Sequence, residues 1–241
     1  NPYNISTTAT ASSDGFTLSG KKTFVLDGHV ADKLIVVSRT SGEQSARSGL
    51  TLFVVDRDAT GVTVTRTLMA DSRNAANVVL DNVAVSADAV LGAVDAGADV
   101  LDPALDIACI GLTAEMLGSI EECFERAVAY LKERKQFGKS LDQFQGLQFK
   151  LADMATELVA ARQLVRYAAS KLDRQDPEAT AYCAMAKRFA TDVGFRVCDQ
   201  ALQLYGGYGY IKEYPMERHF RDVRGHQILG GTNEIIRLII A

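Results

Sequence analysis

A chain of 241 residues is long enough for one large domain or two modest ones. Its 47% hydrophobic and 23% charged composition is ordinary for a globular protein. A net charge of −4 gives no attraction for nucleic acid or an anionic membrane, and no apolar run approaches the roughly 18–20 residues of a spanning helix, so neither is an expected partner.

In chain order, Asn1-Pro2-Tyr3 is neither an initiator methionine nor a helix start. No charged-then-apolar leader follows it, which points to the cytoplasm. Residues 13 to about 92 read as β, as short segments rich in Val, Thr and Leu: Gly15 to Gly20, Lys22 to Leu26, Lys33 to Ser38, Leu50 to Asp56, Val62 to Arg66 and Ala76 to Asn82. Ser-Gly and Asp-Gly breaks separate several of them, roughly every ten residues, as in an antiparallel sandwich or barrel. These strands are too few for a complete sheet domain, so a fragment, or a chain whose first domain is missing, is expected.

Ala93 to Asp102 is the expected joint, giving domains 1–95 and 96–241. From about Pro103 the apolar period becomes helical. Leu112, Met116, Ile120, Cys123, Ala127 and Leu131 share one face of a helix expected to stop near Gly138. Leu147, Leu151, Met154, Leu158, Ala161, Val165, Ala168 and Leu172 mark a second helix. A third runs from about Glu178 to the Gly206-Gly207 stop, and a fourth is expected from about Thr232. The fold class is therefore α+β: a β domain followed by an up-down four-helix bundle. Cys109, Cys123, Cys183 and Cys198 lack CxxC spacing and all fall in helical segments, so buried reduced thiols are expected. His29, His219 and His226 are too scattered to propose a metal site.

Three motifs carry chemistry. Arg134-Lys135-Gln136-Phe137-Gly138 reads locally as basic residues and a glycine closing a helix. Gln203-Leu204-Tyr205-Gly206-Gly207 ends another helix, although a stop explains one glycine more easily than two. Gly230-Gly231-Thr232-Asn233-Glu234 reads as an N-cap before an apolar helix. In this order and spacing the motifs resemble the acyl-CoA dehydrogenases, across a middle β domain and a C-terminal helical domain, with the family's N-terminal helical domain absent from this sequence.

The resemblance implies FAD as cofactor, an acyl-CoA thioester as substrate and an electron-transfer flavoprotein as acceptor. It implies that Arg134 reaches the flavin pyrophosphate of a neighbouring subunit, that Phe137 packs beside the cofactor and that Gln145 contacts it across the interface. Gln203, Gly206 and Gly207 then meet the adenosine end, while Thr232 and Glu234 face phosphate or ribose. Leu105, Leu112 and Leu229 suggest an apolar acyl lining.

The sequence departs from the family in three places. The residue before the Gly-Thr pair, a Glu base in many members, is Gly230. The alternative base position early in the first C-terminal helix is Ala108, followed by Cys109 where relatives often carry Arg. A Trp and a hydroxyl residue near the flavin ring are replaced by Phe24 and Leu26. Asp106 matches a family Asp near the thioester and is a substitute base. The pattern implies the subunit without the base in an α2β2 heteromer with a homologous acyl-CoA dehydrogenase subunit, like actinobacterial steroid-degradation enzymes. The alternatives are a self-sufficient homotetramer using Asp106, a non-catalytic homologue, and a flavin oxidase or monooxygenase on the same fold.

Overall fold

The computed structural model describes residues 1–241 and divides into two compact units, Asn1–Ala104 and Leu105–Ala241. The expected α+β order holds: a sheet comes first and helices follow.

The first unit is a seven-stranded sheet of β1 (Thr8–Ser12), β2 (Gly15–Leu26), β3 (Lys33–Arg39), β4 (Leu50–Asp56), β5 (Val62–Leu68), β6 (Asn74–Ser86) and β7 (Val90–Leu91), in the spatial order β5-β6-β2-β1-β3-β4-β7. All pairings are antiparallel except β1 with β3, which meet in parallel at Thr8 and Arg39. The segments expected as separate strands at 15–20 and 22–26 are one long strand. Its register against β6 slips twice, between Leu18 and Gly20 and between Lys22 and Val25. The sequence break there is a pair of bulges rather than a turn. Alternation along β3 and inward residues of β2, β4 and β6 bury Leu18, Leu34, Val36, Phe53, Val55, Val78 and Val83. Each fully buried side chain of this kind contributes about 1.5–3 kcal/mol.

The helices are α1 (Ala98–Glu133), α2 (Gln145–Asp173), α3 (Ala179–Tyr205), α4 (Met216–His226) and α5 (Asn233–Ile240). The start of α1 lies ahead of Pro103, where the sequence reading placed it. Asp99 and Asp102 in its first turns pair with Arg47, and the Tyr3 hydroxyl donates to Asp102, so contacts outside the helix hold the extra turn. In the second unit α1, α2 and α3 share one core, in which Met116, Ile120, Cys123, Ala127 and Leu131 meet Met154, Leu158, Ala161 and Val165 and the alanine-rich face of α3. Gly194 allows the close approach of α3 to α1: a Cβ there would lie 2.4 Å from Met116 Sδ. No helix is long and apolar enough to cross a membrane.

Two further details differ from the sequence reading. α1 ends at Glu133, and the Arg134–Gly138 motif enters a two-stranded hairpin, β8 (Lys135–Gln136) with β9 (Lys139–Ser140). α4 had no place in the reading: of its side chains only Met216, Val223 and His226 are buried, too sparse an apolar set to declare a helix.

Candidate functional site

The ends of α1 and α3 and the hairpin between α1 and α2 enclose a cleft of about 570 Å³, within the range of small-molecule sites. It is lined by Arg134, Gln203, Gly206 and Gly207, four residues named from the sequence, together with Tyr130 and Tyr208. Helix α1 closes by an Arg134 N–H bond to Tyr130 O at 2.8 Å, which sets the arginine at the cleft mouth. Its guanidinium lies 5.5 Å from the Tyr208 ring centroid, a cation–π contact that leaves the planar fork available to an anion.

Helix α3 stops because Gly206 adopts φ +59°, ψ −137°, a conformation costly for any residue with a Cβ. A Cβ added at either Gly206 or Gly207 would meet nothing within 4 Å. The two glycines therefore do not make room for this chain's own packing in the unit. They leave bare backbone facing open space, as a ligand or second chain would require. Gly209 is the contrast: a Cβ there would lie 2.3 Å from Leu202 O.

An aromatic wall backs the cleft. Tyr130 and Tyr205 stack at 4.2 Å with an interplanar angle of 12°, and Tyr208 and Tyr214 add edge contacts. Tyr205 donates from its hydroxyl to Arg126 O at 3.1 Å. Burial raises the pKa of both Tyr130 and Tyr205. The sequence reading missed Tyr130 and Tyr208. The signal that was present is the run Tyr205, Tyr208, Tyr210 and Tyr214 just past the helix stop.

Phe137 and Gly138 form the two-residue turn of the hairpin with φ +53° and +81°, the left-handed pair of a type I′ turn. A phenylalanine in that region is uncommon, and this one is 90% exposed. It edges Phe144 at 6.2 Å and, with Leu141, Phe144, Gly146 and Leu147, borders a second, apolar hollow of about 370 Å³. Gln145 is the first residue of α2, exposed between Phe144 and Gly146.

Thr232 and Glu234 do not line the first cleft. Thr232 is the N-cap of α5, its Oγ1 accepting from Ile235 N–H at 3.4 Å, and Glu234 is exposed. The turn before them is clamped to α3 by a buried network. Lys187 Nζ donates to Gly231 O at 2.6 Å and Asn233 Oδ1 at 3.0 Å, while Asn233 Nδ2 donates to Thr191 Oγ1 and Asp192 Oδ1. Burial lowers the pKa of Lys187, opposed by Cys109, Asp192 and Glu234.

The two positions that the resemblance assigns to a base hold no carboxylate. Gly230 is exposed with φ +65°, and a Cβ there would meet only Leu112 at 3.9 Å. Ala108 is an exposed residue of α1. Asp106, on the same helix, is half-buried, and its Oδ2 accepts from Thr180 Oγ1 at 2.7 Å. In the first unit, Phe24 has φ +52° and is 68% exposed, and Leu26 is 54% exposed. Neither is used by the sheet core, and the Leu26 side chain has no polar hydrogen to donate.

Residues 1–83 match the model of the acyl-CoA dehydrogenase middle domain, and residues 95–241 match that of the C-terminal domain. This chain belongs to the acyl-CoA dehydrogenase family. It is 40% identical over 240 residues to an acyl-CoA dehydrogenase of Bacillus subtilis, covering 98% of this chain and 63% of that protein. It is 38% identical over 240 residues to the mitochondrial isobutyryl-CoA dehydrogenase of Dictyostelium discoideum, covering 98% of this chain and 58% of that protein. Among solved structures it superposes on butyryl-CoA dehydrogenase from Megasphaera elsdenii with a TM-score of 0.91 and 38% identity, covering 98% of this chain and 62% of that one. A structure titled for the electron transferring flavoprotein of Acidaminococcus fermentans matches with a TM-score of 0.90 and 36% identity, over 98% and 62% of the two chains. The chain thus spans about three-fifths of the length of the relatives it matches.

Proposed function

We propose that this chain serves an FAD-dependent acyl-CoA dehydrogenase as the subunit without the catalytic base, in a heteromeric α2β2 assembly with a homologous subunit. The observation that carries the reading is a contrast within one helical unit. The cleft of Arg134, Gln203, Gly206 and Gly207 is built and open, while Gly230 and Ala108 stand at both base positions.

The residues present fit the phosphate and adenosine portions of FAD. Arg134 would bind pyrophosphate oxygens through its fork. Gly206 and Gly207 would let the cofactor approach the backbone, with Gln203 beside it and Phe137, Gln145, Thr232 and Glu234 at its remaining contacts. Bound FAD supplies acceptance of the β-hydrogen as hydride. In this reading the chain's own share is binding and orientation. The aromatic wall and Arg134 fix the cofactor's phosphate end. The partner subunit brings the carboxylate that removes the α-proton of a CoA thioester, which must lie within hydrogen-bond reach of that carbon. Bulky acyl groups such as steroid side chains are the proposed substrates, an electron-transfer flavoprotein the acceptor and the bacterial cytoplasm the compartment.

The half-buried Asp106 with its Thr180 hydrogen bond favours a second reading, a self-sufficient enzyme with Asp106 as base. Kinetics of the complex with the homologous subunit separate the two. The heteromer reading expects Asp106→Ala to retain turnover and Arg134→Ala to lose flavin absorbance. Abolished turnover in Asp106→Ala, with flavin retained, would establish the second reading instead.

A further inference from the structure

Helix α4 places Asp222 and His226 four residues apart, so both side chains leave the same face, and that face meets Glu115 of α1. One donor atom from each of the three lies within 4.8 Å of the other two. His226 is only 3% exposed, and its Nδ1 is 3.1 Å from the carbonyl oxygen of Asp222. A carbonyl can only accept, so Nδ1 carries the hydrogen and Nε2 is the acceptor atom, turned toward Glu115. Nε2 lies 3.7 Å from Glu115 Oε2, beyond hydrogen-bond length. The imidazole of this buried histidine and the two carboxylates thus bring one nitrogen and two oxygens into a space that a single cation can bridge. A proton on Nε2 serves one donor, whereas a metal ion engages all three at once.

We propose that Glu115, Asp222 and His226 form a site for a divalent first-row transition-metal ion, of the Zn²⁺ or Mn²⁺ class, that ties α4 to α1. The donor set of one imidazole and two carboxylates suits such ions better than thiophilic ones. Two ligands at i and i+4 on one helix face is the spacing that metal-binding helices use. The Nδ1–H bond to a backbone carbonyl is the outer-shell contact that orients a ligating histidine. Donors on a common ion at about 2.0–2.2 Å lie roughly 3–4 Å apart, so the site closes by a small contraction. Glu115 supplies the movement and the entry path, because its side chain is 41% exposed. Glu115 and Asp222 also engage other groups of the chain, with which the ion competes. The proposal is independent of the flavin reading.

The test uses the purified full-length protein, stripped with chelator and titrated with Co²⁺ and then Zn²⁺. Expected are d–d absorption bands of protein-bound Co²⁺ without thiolate charge transfer, loss of those bands as Zn²⁺ displaces it, and a thermal midpoint that rises with metal. Glu115→Gln, a near-isosteric change at a side chain that is 41% exposed, is expected to weaken binding about tenfold or more, and Asp222→Asn likewise. Absence of bands and of any thermal shift in the wild type would overturn the site. So would affinity unchanged in both variants, or thiolate charge-transfer bands, which would place the ion on cysteines.

Discussion

Arg134 shows how far one residue's local setting and its proposed role diverge. By helix logic it is a basic residue at a C-terminus, and the structure agrees, since its N–H closes α1. Yet its guanidinium is held over Tyr208 at the edge of a cleft rather than on the last carbonyls. Arg134→Lys keeps the charge and loses the planar fork, so flavin retention by the complex is expected to fall about tenfold or more, at the scale of a charge-assisted hydrogen bond. Equilibrium dialysis reads the loss, and an unchanged circular dichroism spectrum shows that the fold is intact. At this scale the sequence was legible where a residue is rare in its setting, as with paired glycines past a helix. It was silent on Tyr130, which lies in the helical part of α1 and takes its meaning from Tyr205, far along the chain.

At the scale of elements, periodicity found α1, α2 and α3 because each buries a long apolar stripe in the shared core. It could not find α4, whose stripe is three buried residues, or the small hairpin, whose turn is a Phe-Gly pair instead of the usual Asn-Gly. The long β2 was read as two strands because its Gly20 looks like a turn and is part of a bulge. Gly194 carries an element-level prediction. A methyl group there meets Met116 Sδ, so Gly194→Ala is expected to destabilise the helical unit by about 1–3 kcal/mol in urea denaturation, as overpacking does. Thr232→Ala removes the cap of α5 and is expected to cost about 0.5–2 kcal/mol, toward the low end because the bond is long at 3.4 Å.

For the whole molecule, the pH dependence of stability has a traceable contributor in Lys22. Burial lowers its pKa to about 8, although Nζ donates to Val37 O at 2.6 Å. Between pH 8 and the ordinary lysine value of about 10.4 the unfolded chain binds the proton and the folded one does not, so this term makes stability rise with pH. Below pH 8 the cost of burying the ammonium is fully present. Burial raises the thiols of Cys109 and Cys183, which pushes the other way above their ordinary range. The lysine term is therefore read as a difference: the stability of Lys22→Met relative to wild type is expected to decline from pH 8 to pH 10 in chemical denaturation.

The family and its α+β order follow from residues 1–83 and 95–241 together. The central claim is that this family member keeps the half of a flavin site that serves a partner and has lost the half that does chemistry. Flavin content, from the visible spectrum of the full-length protein expressed alone and with a homologous subunit, tests it most directly. The account predicts yellow protein only on co-expression, with one flavin for each pair of unlike chains. Yellow protein from this chain alone, with one flavin per chain, would contradict it.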